Sequence, residues 1–284
     1  MTSPTPDTVL RAFTDDYAFR VVAARTTALV RRAIESQRAE GETARTFADL
    51  LTGTVLVRET MAPQLRVQGI LRDARGKGRL VADAHPDGGT RGLVQSASPG
   101  GALDLGAGSM LEMTRTLPNG ASHQGVVELP PEGGVSGALM AYMQQSEQIV
   151  SVVDVGTVLR GDDLLAAGGF IVQLLPEARG SAIERMADRL EGVRATTGLF
   201  AGDRGLLDLV GDLLGQPVIG LDERPLAFAC RCDELRLMAA LATLPREDLE
   251  ALVNEQNVIE TSCDFCGKEF RLAPEKLRGL LSPS

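Results

Sequence analysis

Cys230-Arg231-Cys232, then thirty residues, then Cys263-Asp264-Phe265-Cys266-Gly267: these two stretches decide how the 284-residue chain is organised. Four thiolates suit a closed tetrahedral zinc site, which leaves no open position for catalysis. Cys-x-x-Cys-Gly fits a knuckle in which backbone amides approach the sulfurs and the glycine tolerates positive φ. The Cys-x-Cys half is unusual. Two ligands one residue apart on an extended chain point to opposite sides, so Cys230 and Cys232 reach one ion only if the backbone bends between them. Arg231 and Lys268 stand where they could offset part of the thiolate charge.

From Cys230 onward the pattern reads as two short helices, the second opened by Pro245 with Glu247 and Asp248 in its first turn. A hairpin follows, with strands at Val258–Ser262 and Lys268–Leu272 and residues 263–267 as its turn. Upstream, a Ser181-x-x-Glu184 capping box precedes Ile183, Met186, Ala187 and Leu190 at helical spacing. Leu206, Leu209, Val210, Leu213 and Leu214 form a second stripe that Gly215 stops. Such stripes belong to helices that dock on something. Between Leu65 and Gln173, Val/Leu-rich runs alternate with turn clusters such as Pro86-Asp87-Gly88-Gly89 and Asn119-Gly120, the signature of hairpins. Ala138–Glu147 interrupts them as a helix. Phe19–Thr26 reads as a strand, and 28–38 and 46–58 as helices, the latter with Phe47, Leu50, Leu51, Thr54 and Val55 on one face. The expected fold is α+β: a core domain at 1–177 with a mixed sheet and packed helices, a helical linker at 178–229, and a small zinc-binding domain of two helices plus a hairpin at 230–284.

A 44% hydrophobic content is ample for a buried core. The 29 Lys+Arg against 38 Asp+Glu give a net charge of -9, with no basic run, which argues against nucleic acid as the main partner. The first residues lack the basic and apolar regions of a secretory signal, and no apolar stretch approaches the length of a membrane span. The chain is therefore read as cytoplasmic and without a membrane partner. In that reducing compartment, paired cysteines argue for metal or redox chemistry before structural disulfides.

A zinc ion on these four cysteines ties the two pairs together across thirty residues, and the spacing by itself fits a clip that only holds the tail together as well as a redox role. Oxidation would most easily join neighbours and close only tiny loops. A cross-link over about 30 residues is worth roughly 3 to 4 kcal/mol on the chain-entropy model, against roughly 1 to 2 for loops of three or four residues. Structural zinc contributes about 10 to 16 kcal/mol in small zinc domains. Oxidation would thus exchange a long-range clamp for two weak local staples, and a domain this small would unfold, loosening the docked linker with it.

With these cysteines in place the chain resembles the heat-shock protein 33 family, the redox-regulated 33 kDa chaperonins. The likeness runs nearly end to end. It includes Arg91-Gly92, Leu105-Gly106-Ala107-Gly108, Gln124-Gly125-Val126-Val127-Glu128-Leu129, Ser146-Glu147-Gln148, Ala167-Gly168-Gly169 and Gln173-Leu174-Leu175-Pro176. The resemblance implies an ATP-independent holdase, not an enzyme, that is inactive when reduced and zinc-bound. Oxidised, it releases its single zinc, unfolds tail and linker, forms homodimers and binds unfolding client proteins under oxidative stress. It implies that Cys230, Cys232, Cys263 and Cys266 are the zinc ligands and, when oxidised, pair as Cys230–Cys232 and Cys263–Cys266. The chain departs from the family at Gln68-Gly69-Ile70-Leu71-Arg72-Asp73, where a Gly-x-Gly-Pro is usual, and at Ile149-Val150-Ser151, where Leu-Pro-Thr is favoured.

Two other readings compete. A zinc-ribbon module binding nucleic acid is opposed by the acidic balance. A thiol-disulfide oxidoreductase using Cys263 and Cys266 would need Cys-x-x-Cys at a helix N-terminus after a strand, whereas here it reads as a hairpin turn. His85 and His123 sit in turn-like contexts with no triad around them. Gly106-Ala107-Gly108 and Gly76-Lys77-Gly78 lack the spacing of phosphate-binding loops. Ser146-Glu147-Gln148, with no histidine nearby, reads as structural.

Overall fold

The computed structural model describes residues 5–96, 103–161, 163–176, 178, 184, 186, 188–190, 199–254 and 258–281. The chain divides into two units, Met1–Ala229 and Cys230–Ser284. No described helix is long and apolar enough to cross a membrane.

The first unit is built from two sheets. One comprises β1 (Thr8–Thr14), β2 (Phe19–Arg25), β8 (Ser151–Arg160), β9 (Asp163–Leu174) and β10 (Val218–Pro225), in the order β10-β1-β2-β9-β8 with antiparallel neighbours throughout. The other comprises β3 (Arg66–Arg72), β4 (Arg79–Ala84), β5 (Gly89–Gln95), β6 (Met110–Thr116), β7 (Ser122–Glu128) and β11 (Ala227–Phe228), in the order β11-β5-β4-β3-β6-β7. Its β11–β5 pair is parallel, which makes the sheet mixed. Helices α1 (Thr27–Gln37), α2 (Gly41–Thr60) and α3 (Gly134–Gln145) complete the core.

Helix α2 lies between the sheets. Its apolar residues Phe47, Leu50, Leu51, Val55 and Leu56 share one buried cluster with Val9, Val22 and Ile171 of the first sheet and Val67, Leu80 and Met113 of the second. The sequence predicts one apolar face; the helix is instead buried on nearly every side, including Thr52, Thr54, Arg58 and Glu59. Buried polar groups need partners. The Thr54 hydroxyl donates to the Leu50 carbonyl at 2.7 Å, Thr26 and Thr52 share a hydrogen bond of 2.7 Å, and Arg58 pairs with Glu59 at 2.7 Å. The Phe47 ring packs against the backbone of β5. A Cβ added at Gly92 would stand 2.5 Å from two ring carbons of Phe47 and 2.9 Å from the Val81 carbonyl oxygen. Gly92→Ala is therefore expected to destabilise the core by about 1–3 kcal/mol, the usual cost of overpacking, measured by urea unfolding; an unchanged midpoint would refute this packing.

Asp49 of α2 accepts a hydrogen bond of 2.6 Å from the Thr157 hydroxyl of β8. Burial pushes its carboxyl up to about 7, opposed by Thr157 and Arg45 and reinforced by Glu42 and Asp154. A folded-state value above the unfolded one of about 3.9 means that folding takes up a proton, so this group lowers stability as pH rises from about 4 to about 7. Asp49→Asn is expected to flatten that slope and to stabilise the core by about 2 kcal/mol at alkaline pH. Urea unfolding of both proteins at pH 5 and pH 8 checks this, and identical pH dependence would contradict it.

The strands of the first sheet are apolar on both faces. Val9, Val22, Ala24 and Ile171 point into the core, while Leu10, Ala12, Val21, Ala23, Phe170 and Val172 point to the opposite face. A chain segment at 178–229 closes over that second face. Met186, Leu190 and Phe200 lie on it, followed by α4 (Leu206–Leu214), which buries Leu206, Leu209, Val210, Leu213 and Leu214 and ends at Gly215 with φ 65°. Both stripes expected to dock are thus docked where described; Ser181, Ile183 and Ala187 lie outside the described residues. Polar contacts fix the cover: Arg25 of β2 donates to the Gly202 and Arg204 carbonyls at 3.1 and 2.7 Å, and Arg189 donates to the Asp212 and Leu213 carbonyls at the end of α4. After α4 the chain adds two strands, β10 on the edge of the first sheet and β11 on the edge of the second.

Candidate metal centre

The second unit contains α5 (Glu234–Leu241), α6 (Arg246–Asn254), the hairpin β12 (Ile259–Ser262) and β13 (Glu269–Leu272), and α7 (Pro274–Leu281). The expected two helices and hairpin are present, and α7 is an addition. Its signals are Pro274 at the first helical position and Glu275 in the first turn. The apolar core is small: Leu249 and Val253 of α6, Leu272 of β13 and Leu277 of α7 are its buried members. Helix α5 has no buried residue and is held at its start by Asp233, whose carboxylate accepts from the Arg236 amide at 2.7 Å.

The four cysteines converge. Cys230 and Cys232 lie on the irregular segment before α5, and Cys263 and Cys266 in the turn between β12 and β13. Their four sulfurs lie within 4.8 Å of one another, so the chain does bend between Cys230 and Cys232. Near approaches run across the two halves, Cys230 Sγ to Cys263 Sγ at 3.7 Å and Cys232 Sγ to Cys266 Sγ at 3.4 Å. In the turn, the Cys263 amide donates to the Lys268 carbonyl at 2.9 Å and the Gly267 amide to the Cys263 carbonyl at 2.8 Å. Gly267 has φ 70°, the left-handed conformation the knuckle requires. Lys268 Nζ lies 5.1 Å from the centre of the Phe270 ring.

This donor set fits a metal ion. Tetrahedral sulfur ligands at about 2.3 Å from zinc stand about 3.8 Å apart, close to the spacing found. Burial raises the Cys232 thiol well above its ordinary value, and hydrogen bonds with Cys266, Cys230 and Cys263 add to the rise. Cys266 is likewise raised by burial, against the lowering effect of the Lys268 amide. Four thiols so crowded do not ionise together without a cation; a bound divalent ion supplies the charge that makes all four thiolates. All four donors are sulfur, which favours zinc or an iron–sulfur centre over oxygen-loving ions. Placing Cys263 and Cys266 in a hairpin turn, away from a helix N-terminus, removes the feature that activates thiols in thioredoxin-like enzymes.

The other candidates of the sequence stay structural. Glu147 accepts from the Tyr142 hydroxyl at 2.6 Å and pairs with Arg115 at 2.7 Å, tying the end of α3 to β6. His85 is buried beside Asp83, which also binds Arg66 and Arg91, and His123 is exposed in β7.

Fold and site together define a two-sheet α+β protein with a helix-covered sheet face, followed by a compact four-cysteine metal-binding unit. Comparison with known proteins gives that class its family. The description of the Hsp33 protein family matches residues 7–273, and the chain belongs to this family of chaperones. Among curated relatives, the 33 kDa chaperonin of Synechocystis sp. is 30% identical, with 97% of this chain and 96% of that protein aligned. The 33 kDa chaperonin of Oceanobacillus iheyensis is 27% identical over 96% of this chain and 99% of its own length. The crystal structure of the 33 kDa chaperonin from Thermotoga maritima has the same fold, with a TM-score of 0.82, 22% identity and 97% of both chains covered.

Proposed function

We propose that this protein is a redox-controlled, ATP-independent holdase, zinc-bound and inactive when its cysteines are reduced. The observation that carries the reading is the covered sheet face. Leu10, Ala12, Val21, Ala23, Phe170 and Val172 form an apolar surface under the 178–229 segment, and that segment runs directly into Cys230. Burying such a surface beneath a removable cover is what a chaperone with an off state needs. The domains follow: 1–177 carries the client surface, 178–229 covers it, and 230–284 controls the cover.

In the oxidative step, peroxide takes two electrons from each pair of zinc-bound thiolates and, with two protons from solvent, gives one disulfide and two waters per pair. The proposed pairs are Cys230–Cys232 and Cys263–Cys266. In the reduced site all four sulfurs lie within reach of one another, the approaches of Cys230 to Cys263 and of Cys232 to Cys266 across the two halves included. Disulfides along those approaches would keep the halves tied, whereas pairs of chain neighbours let them separate. Sulfurs held in disulfides no longer bind zinc, and the second unit loses the link its small core depends on. The linker's last hold is slight, since β11 is two residues long and leads into Cys230 two residues later. Activity in the cytoplasm, homodimers in the oxidised state, unfolding proteins as clients and no nucleic-acid partner complete the reading.

The test is aggregation of a heat-unfolded enzyme followed by light scattering, with zinc release recorded in parallel. Peroxide with mild heat is expected to release about one zinc per chain and to switch on suppression of aggregation. Retained zinc with no gain in suppression would sink the proposal. Disulfide mapping by mass spectrometry checks the pairing.

A further inference from the structure

The strand that closes the edge of the first sheet is poorly suited to its place. β10 belongs to the cover, and it pairs with β1 through a bulge: Arg11 lies opposite Asp222 and Ala12 opposite Gly220, which leaves Leu221 without a partner. Ile219 and Leu221 are 41% and 56% exposed, and no residue of β10 is fully buried. Its hold on the core is main-chain pairing plus charge. Arg11 grips Asp222 with two bonds of 2.7 Å, Thr8 donates to Glu223 at 2.6 Å, and Arg224 reaches Asp222 and the buried Glu59.

Displacing the cover, β10 and α4 together, would uncover two things side by side. One is the outward main-chain edge of β1. The Asp7 carbonyl accepts from Leu226 and the Asp15 amide donates to Pro217, so by the alternation of an antiparallel ladder the groups of Val9, Arg11 and Phe13 face the same way. The other is the apolar face carrying Leu10 and Ala12. On the opposite face of β1, beside Val9, Arg11 would stand without Asp222, near a second cation, Arg20. An open edge with an apolar face is a template for any extended chain.

We propose that the β1 edge vacated by β10 is a strand-addition site for an extended segment of unfolded client. That segment runs antiparallel to β1, sets a carboxylate against Arg11 in the place of Asp222, and lays apolar side chains over Leu10 and Ala12. A regular client strand pairs with β1 without the bulge that β10 needs. Main-chain recognition tolerates many sequences, and the Arg11 contact biases capture toward acidic segments. This inference rests on the chaperone reading and deepens it.

Backbone amide exchange of the full chain tests it in three states: reduced, oxidised, and oxidised with reduced and carboxymethylated α-lactalbumin, an unfolded acidic chain without free thiols. The amides of Val9, Arg11 and Phe13 are expected to be protected when reduced, to exchange at least about tenfold faster when oxidised, and to be protected again by the captured chain. Arg11→Glu should weaken capture of this acidic chain about tenfold and spare capture of a basic unfolded chain. Capture with the β1 amides still exchanging freely would overturn strand addition and leave the chaperone reading standing. Protection that returns in the oxidised protein alone as its concentration rises would assign the edge to a second copy and overturn the client proposal. Failure of the oxidised protein to hold any unfolded chain would remove both.

Discussion

Replacing Cys266 by serine is expected to unfold residues 230–281 while leaving the two-sheet core folded. A serine hydroxyl does not stand in for a thiolate ligand, and a structural zinc site contributes on the order of 10 to 16 kcal/mol to a small zinc domain. Little else holds this one. Among the described residues, Leu249, Val253, Leu272 and Leu277 are its buried apolar side chains, with Leu237, Met238, Leu241, Leu252 and Ile259 half-buried against them. Burying each contributes about 1.5 to 3 kcal/mol. Exposed ion pairs such as Glu234 with Lys276 add at most about 1 kcal/mol each. The variant should bind no zinc, lose the dispersed amide resonances of the second unit, and suppress aggregation in reducing buffer without peroxide. A zinc-free variant that kept those resonances would show that the unit folds on its apolar core alone.

Val210→Asp is expected to produce activity by the other route, with the metal site left whole. Val210 is fully buried in α4 against the sheet face of Leu10, Phe170 and Val172. An unpartnered carboxylate there costs about 3 to 5 kcal/mol, enough to displace a cover made of one nine-residue helix and its neighbours. The reduced variant should retain its zinc, bind a hydrophobic dye and hold a heat-unfolded enzyme in solution. Val210→Ala should act in the same direction more weakly. A folded, zinc-loaded, reduced Val210→Asp protein with no gain in either readout would mean that the apolar face is not the client surface.

The metal centre was the most legible part of the chain, because four cysteines in two close pairs can meet in few ways. Even the bend at Arg231 followed from requiring Cys230 and Cys232 to reach one ion. The α4 stripe was legible too, since a helix with one apolar face has only one way to dock. β1 was missed because Val9 and Leu10 face opposite buried sides, so the strand lacks the alternation that marks a half-exposed one. For α2 the same cause acted differently: its apolar stripe was visible, but a helix between two sheets is buried all round, and Thr52, Arg58 and Glu59 gave no warning of that. β10 was invisible because it carries Gly220 and Pro225, a bulge and mostly exposed side chains, and owes its place to the edge of β1. Its partner, over 200 residues away, leaves no trace in the local pattern.

Control of the cover by the cysteine unit is the centre of the account, and limited proteolysis of the 178–229 segment addresses it most directly. Trypsin has sites there at Arg189, which donates to the end of α4, and at Arg204, whose carbonyl accepts from Arg25 of β2. Cleavage at these arginines is expected to be slow in the reduced, zinc-bound protein and many times faster after peroxide has released the zinc, while the core strands stay intact. Equal cleavage rates in the two states would contradict it, since the cover would then be independent of the four cysteines.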